Sequence, residues 1–166
     1  MSADASGTLS EQTENWGLRA VRKALGQHAG KSPLPFMKTT GLDKSLTLLH
    51  AEHGKLVMEW TPDDSLDAFD GIVFGGALTA LGDFVQAHVF TSLLEKPGGF
   101  STIDFHTRYL RPVPSGQTYK IESRLVDRAA RTAIIDMVIY RADGKATTHI
   151  TGAWQLADRA FELENG

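Results

Sequence analysis

The chain has 166 residues, 42% hydrophobic and 22% charged, with 17 basic and 20 acidic residues giving a net charge of −3. This length suits one domain that buries an ordinary core, and the composition excludes disorder, collagen and a pure coiled coil. The acidic balance argues against general nucleic-acid binding, and the absence of Cys excludes a disulfide scaffold, a thiolate metal site and thiol catalysis.

The first 18 residues hold no Lys or Arg and no apolar run, so no signal peptide is expected and the expected compartment is the cytoplasm. Thr8-Leu9-Ser10-Glu11 has the form of a capping box. It predicts an amphipathic helix with Trp16, Val21 and Leu25 on one side and Arg19, Arg22 and Lys23 on the other, ending near Gly26–Gly30. Ser32-Pro33-Leu34-Pro35 reads as an extended connector, because each Pro disfavours helix before it. Leu46–Glu52 and Lys55–Thr61, joined by His53-Gly54, predict a hairpin. Pro62 to Asp70 carries Asp63, Asp64, Asp67 and Asp70 and predicts a loop. A long helix is expected from about Gly75 to Leu94, stopped by Pro97-Gly98-Gly99. The window Gly71 to Phe90 is long and apolar enough to raise a membrane span. Asp83, Gln86, His88 and four Gly within it favour a buried helix instead.

Four strands follow: Thr102–Leu110, Thr118–Val126, Thr132–Tyr140 and Ala146–Gln155, the last two joined through Asp143-Gly144. Alternation in the first predicts Ile103, Phe105, Thr107 and Tyr109 on one face, with Thr102, Asp104, His106 and Arg108 on the other. The order of elements predicts an α+β fold in which one antiparallel sheet wraps a central helix. Residues 1–33 are read as an N-terminal helix and connector, 34–158 as the main domain and 159–166 as a tail.

The common nucleotide, metalloprotease and serine-hydrolase signatures are absent. Of six His, only His50 and His53 are close in sequence, and they flank a turn. No metal site and no cofactor are expected. The start of the long helix carries the chemistry. Gly75 and Gly76 leave backbone N–H groups bare where the helix dipole adds positive potential, an arrangement able to polarise a carbonyl. Gly76, Thr79, Ala80, Asp83 and Ala87 share one helical face, a floor of small side chains with a single carboxylate. Two readings stand side by side. The small residues let the helix pack closely, with Asp83 held by a buried partner, or the face is a site and Asp83 its reacting group.

Gly71-Ile72-Val73-Phe74-Gly75-Gly76-Ala77-Leu78-Thr79-Ala80-Leu81-Gly82-Asp83 resembles the G-x-x-H-G-G-x-x-x-x-L-x-D helix motif of hotdog-fold acyl-CoA thioesterases of the phenylacetic-acid-degradation and 4-hydroxybenzoyl-CoA type. Ser101 to Pro112 is similar to their S-x-x-L-x-x-x-Y-L-R-P strand, and Thr151-Gly152-Ala153-Trp154 fits as well. The resemblance spans roughly Leu34 to Leu156, the first helix being extra. It implies Asp83 as general base or nucleophile, Gly75 N–H as donor to the thioester carbonyl and Ser101 as a hydroxyl that positions water. Phe74, Gly76, Thr79 and Ala87 would line the substrate. Two positions depart from the pattern: Phe74 stands for the motif His, and Ala68 for an Asn or Gln. Asp67 and Asp70 nearby are not neutral amide donors.

Between Arg108 and Arg141 seven basic residues face three acidic ones, and Arg128 and Arg131 bracket a turn as candidate phosphate ligands. The expected partner is an acyl-CoA, with no nucleic acid and no membrane. Gly75 and Asp83 lie eight positions apart, about 12 Å along a helix. Both can therefore act on one carbonyl only across two chains, in a homodimer or a dimer of dimers. An acyl-CoA thioesterase is the leading expectation. A hydratase or dehydratase, weakened by the missing His, and a non-catalytic acyl-CoA binding protein are the rivals.

Overall fold

The computed structural model describes residues 14–26 and 35–157. The Thr8–Glu11 capping box and the Ser32–Leu34 part of the connector lie outside them. In chain order the elements are α1 (Trp16–Gly26), α2 (Pro35–Thr39), α3 (Leu42–Ser45), β1 (Leu46–Glu52), β2 (Lys55–Trp60), β3 (Asp67–Phe69), β4 (Ile72–Val73), α4 (Gly75–Ser92), β5 (Phe100–Tyr109), β6 (Tyr119–Arg128), β7 (Thr132–Tyr140) and β8 (Ala146–Leu156).

Six strands form one sheet in the order β1-β2-β6-β7-β8-β5, and every neighbouring pair is antiparallel. Inward residues of β7 alternate strictly: Ala133, Ile135, Met137 and Ile139 are buried, while Ile134, Asp136 and Val138 between them are half-buried on the other face. Gly144 closes the β7–β8 turn at φ 78°, a left-handed conformation that glycine adopts without steric cost.

α4 lies against this sheet, touching β2, β5, β6, β7 and β8. Leu81, Val85 and Val89 are fully buried, with Ile121, Ile135, Met137, Ile139 and Ile150 supplying the sheet side of the core. A buried side-chain amide sits inside this apolar contact. Gln86 Nε2 donates to the Ile150 carbonyl at 3.0 Å and Gln86 Oε1 accepts from Trp154 Nε1 at 3.1 Å. Gly152 makes room for it, since a Cβ there would run into Gln86 Oε1 and the Phe105 ring. The Thr151–Trp154 stretch thus has a packing reason for both its Gly and its Trp.

Two expectations are corrected. Pro35 opens α2 instead of extending the connector; its fixed φ and missing N–H suit a first helical position. The stretch read as a loop, Pro62 to Asp70, holds a 3₁₀ turn at Asp64–Leu66 and the short strand β3, which pairs with β4. Asp63 opens the turn by accepting from Ser65 N–H at 3.0 Å, and buried Leu66 draws the segment onto the core.

α1 packs on the C-terminal end of α4 and on β1. Asn15 caps α1 by accepting from Leu18 N–H at 2.8 Å and at the same time donates to the Ser92 carbonyl at 2.8 Å. Gly17 N–H donates to the Leu94 carbonyl at 2.9 Å. The approach is close enough that a Cβ on Gly17 would strike the Thr91 carbonyl, which is rigid backbone. Overpacking of this kind costs about 1–3 kcal/mol, and each kcal/mol moves a domain of this size by about 2–4 °C. Gly17→Ala is therefore expected to lower the melting temperature by about 2–12 °C, read by circular dichroism.

Candidate functional site

α4 begins without a side-chain cap. Phe74 occupies the N-cap in extended conformation and offers no acceptor. Intrahelical bonding starts when Ala77 N–H reaches the Phe74 carbonyl at 3.0 Å. Among the described residues, the Gly75 and Gly76 N–H groups ahead of it find no acceptor. These are the orphan donors that every helix start leaves, here unscreened by a polar side chain.

An aromatic ring stands over each glycine. A Cβ on Gly75 would lie 3.2 Å from Tyr109 Cζ, and one on Gly76 would collide with the Phe74 ring. Tyr109 and Phe74 are nevertheless more than half exposed, and Leu110 and Ile103 are exposed at 50% each. A cleft of about 310 Å³ opens beside Gly75, walled by Ile72, Leu78, Tyr109, Leu110 and Pro112.

Asp83 corrects the sequence reading. It is exposed, because the sheet covers only one side of α4 and leaves Gly76 and Asp83 open to solvent, with Thr79, Ala80 and Ala87 half-buried beside them. The carboxylate is oriented all the same. Thr102 Oγ1 donates to Asp83 Oδ1 at 2.8 Å, and no partner for the second oxygen occurs among the described residues.

The predicted alternation of β5 misses Thr102 because of a bulge. Pairing with β8 shifts register between Thr102 and Asp104, so two residues on β5 oppose one on its partner. Even-numbered Phe100 and Thr102 and odd-numbered Phe105, Thr107 and Tyr109 therefore all reach the interior or α4, as contacts of Phe100 and Phe105 with Trp154 and of the three hydroxyl residues with α4 attest. Ile103, expected on one face with Phe105, Thr107 and Tyr109, is the extra residue and is exposed. Nothing in a run of alternating residues marks such a shift.

Ser101 lies beside Thr102 but accepts from Gln155 Nε2 at 3.3 Å, away from the Asp83 hydrogen bond. Ala68 is exposed on β3. Its neighbour Asp67 accepts from Ser115 Oγ at 3.1 Å and so ties the β3–β4 hairpin to the loop before β6. Arg128 and Arg131 do meet around one cavity of about 670 Å³, with Lys96 on its rim and Phe90, Leu93 and Leu156 in its wall. Arg131 Nη2 donates to the Leu156 carbonyl at 3.1 Å. This cavity sits at the C-terminal end of α4, about 25 Å along the helix from Gly75, so within one chain the two regions are separate. Among the described residues there is no cluster of three metal-ligating side chains and no helix long and apolar enough to cross a membrane.

Residues 70–148 match the family model of the thioesterase superfamily. The PaaI protein of the Escherichia coli phenylacetic acid degradation operon superposes with a TM-score of 0.71 at 16% identity, over 87% of this chain and 96% of that one. A point mutant of the phenylacetic acid degradation protein PaaI from Thermus thermophilus gives 0.63 at 24% identity, over 74% and 98%. A Streptococcus mutans protein bound to acetyl-CoA gives 0.63 at 19% identity, over 68% and 88%. No curated protein matches the chain. The hotdog fold and the resemblance to the hotdog thioesterases, both read from the motifs, are borne out.

One titrating group on α4 has a resolved shift. The half-buried His88 ring packs on Phe84 at 4.4 Å and donates from Nδ1 to the Phe84 carbonyl at 2.8 Å. Burial lowers its pKa below the ordinary imidazole value, opposed in part by that hydrogen bond. The unfolded chain therefore takes up the proton first. The stability contributed by neutral His88 is fully present above the unfolded value, about 6.5, and is lost as pH falls from there toward the depressed folded value. The urea midpoint of the wild type should fall more steeply between about pH 7 and pH 5 than that of His88→Gln; parallel slopes would exclude His88 as the cause.

Proposed function

We propose that the protein hydrolyses acyl-CoA thioesters. The observation that carries this reading is the pairing, on one open helix face, of two unsatisfied amides at the N-terminus with an oriented carboxylate further along. The amides fit an oxygen that gains negative charge, and the carboxylate fits the group that attacks or activates water. The match of residues 70–148 to the thioesterase superfamily supports the same reaction class. The acetyl-CoA-bound S. mutans structure supports the ligand class.

In this reading a Gly75 N–H holds the thioester oxygen. Asp83 either takes the proton from a water that adds to the carbonyl carbon, or adds itself to give an anhydride that water then opens. In both routes the carbon–sulfur bond breaks and CoA leaves as the thiol. Thr102 orients the carboxylate. Ser101 stands one residue away on β5, where it positions water by the family analogy. Phe74, Gly76, Thr79 and Ala87 edge the substrate path, and Arg128 and Arg131 meet CoA phosphates. The acyl group is small, medium-chain or aryl, and the enzyme works in the cytoplasm without a cofactor.

Both groups serve one carbonyl only if they come from two chains. Asp83 stands about 12 Å from Gly75 on the same helix. A second copy with α4 antiparallel brings its Asp83 to the first copy's Gly75, and a two-fold axis repeats the site. Two features favour such a copy. β5 is a sheet edge with an unpaired ladder, and the exposed Phe74, Ile103, Tyr109 and Leu110 flank the open face of α4.

A second reading, acyl-CoA binding without turnover, draws on Phe74 and Ala68, which carry no polar group where the family pattern has His and Asn or Gln. Thiol release from a panel of acyl-CoAs separates the two. Tight binding with no release supports the second.

Asp83→Asn should fold with an unchanged melting temperature, since Asn keeps the shape and can still accept from Thr102, and should lose about 10²–10⁴ in kcat. Near-native rates from a folded Asp83→Asn protein would exclude the assignment. The shared site is tested by refolding Asp83→Asn and Gly75→Pro chains together. Half of the dimers are then mixed, each with one intact site of two, so about a quarter of wild-type activity should return. A mixture as inactive as its parents, with mixed dimers shown to be present, would refute a two-chain site.

A further inference from the structure

A chain of three hydroxyls ends on the peptide that links Gly75 to Gly76. Thr107 Oγ1 lies 3.1 Å from Thr79 Oγ1, Thr79 Oγ1 lies 3.0 Å from the Tyr109 hydroxyl, and that hydroxyl donates to the Gly75 carbonyl at 3.0 Å. The last link fixes the direction of the others. A carbonyl oxygen only accepts, and each hydroxyl has one proton to give. Tyr109 commits its proton to Gly75, so Thr79 donates to Tyr109 and Thr107 donates to Thr79.

Three residues from two elements are involved, Thr107 and Tyr109 from β5 and Thr79 from α4. Thr107 and Tyr109 lie two residues apart in the regular part of β5 beyond the Ile103 bulge, so strand alternation presents both to Thr79. A directed chain of this kind polarises each successive bond. Here the polarisation arrives at an amide group whose N–H belongs to Gly76, one of the two bare donors. The ring adds a steric element: it lies against Gly75, where a Cβ would meet it at 3.2–3.4 Å and push the phenol back by a few tenths of an ångström.

We propose that Tyr109 is a positioning residue for the helix start: its hydroxyl, fed by Thr79 and Thr107, fixes and polarises the Gly75–Gly76 amide, whose Gly76 N–H seconds the Gly75 N–H at the thioester oxygen. It does so without touching the reacting carbon. The missing polar cap at Phe74 gives this arrangement its purpose. With no side chain to orient the first turn from in front, the turn is held from behind through its carbonyl.

The kinetic part of the test rests on the thioesterase reading, and the spectroscopic part does not. Tyr109→Phe keeps the ring and removes the hydroxyl, so the Gly75 carbonyl loses one hydrogen bond and Thr79 loses its acceptor. Its kcat is expected to fall about 3- to 10-fold with KM within about twofold, the size of one lost hydrogen bond and well short of the roughly 10²–10³ that loss of an oxyanion donor costs. Thr79→Val should move kcat the same way by less. In ¹⁵N-labelled protein the Gly76 amide proton of Tyr109→Phe should shift upfield while the melting temperature stays put. Unchanged kcat, or kcat and KM changing together with a lowered melting temperature, would overturn the proposal. Should the wild type show no thioester hydrolysis, the function proposed above fails, and the Gly76 shift alone decides: an upfield move upholds the positioning role, and an unmoved resonance ends it.

Discussion

α4 is an 18-residue helix with one carboxylate, and the rest of the molecule is arranged around enclosing it. Apolar area removed from water is worth about 25 cal/mol per Å², so a helix this apolar is driven against whatever surface the chain can supply. The six-stranded sheet supplies one side, and α1 supplies cover at the C-terminal end. What remains uncovered is the narrow stripe from Gly76 through Asp83, together with the helix start. The candidate site is that remainder, and its location follows from the reach of the sheet as much as from the residues on it.

Much of this is legible in the sequence for a physical reason. β1 and β7 have the predicted limits because alternation and turn residues mark both ends. α4 stands out because a long apolar run between two glycine clusters has few alternatives. α2 and α3 escape such a reading. At five and four residues they have no periodicity to read, and they form because Met37 and Leu42 are pulled into the core. The bulge at Ile103 escapes it for the opposite reason: the pattern around it looks regular, and a shift of pairing leaves no mark in composition.

The site divides in the same way. Gly75 and Asp83 can be named from the helix start and the lone carboxylate. That Asp83 is exposed cannot, because the residues of an apolar helix do not say which of its sides their own chain will cover. Thr102 and Tyr109 are ordinary strand residues by sequence. Each becomes significant only through a partner reached across the fold, Asp83 in one case and the Gly75 carbonyl in the other. Arg128 and Arg131 are neighbours across a turn, as their spacing suggests, but their cavity lies at the other end of α4. Any single ligand touching both regions must span the length of a helix or the boundary between two chains.

The amide of Gln86 has a geometric consequence for Asp83. Contacts among Leu, Ile and Val are non-directional, so an apolar helix on an apolar sheet has little to stop it rolling about its own axis. Gln86 removes that freedom, because its carbonyl oxygen and its amide nitrogen are both engaged, on the Trp154 indole and the Ile150 backbone. A roll of a few tens of degrees would break both bonds inside a dry interior, where each orphaned group costs about 1–3 kcal/mol. At about 3.6 residues per turn, Asp83 sits about 60° around the helix from Gln86. The bearing of the exposed carboxylate is thus set by a buried side chain one turn further along, much as a key fixes a wheel to its shaft.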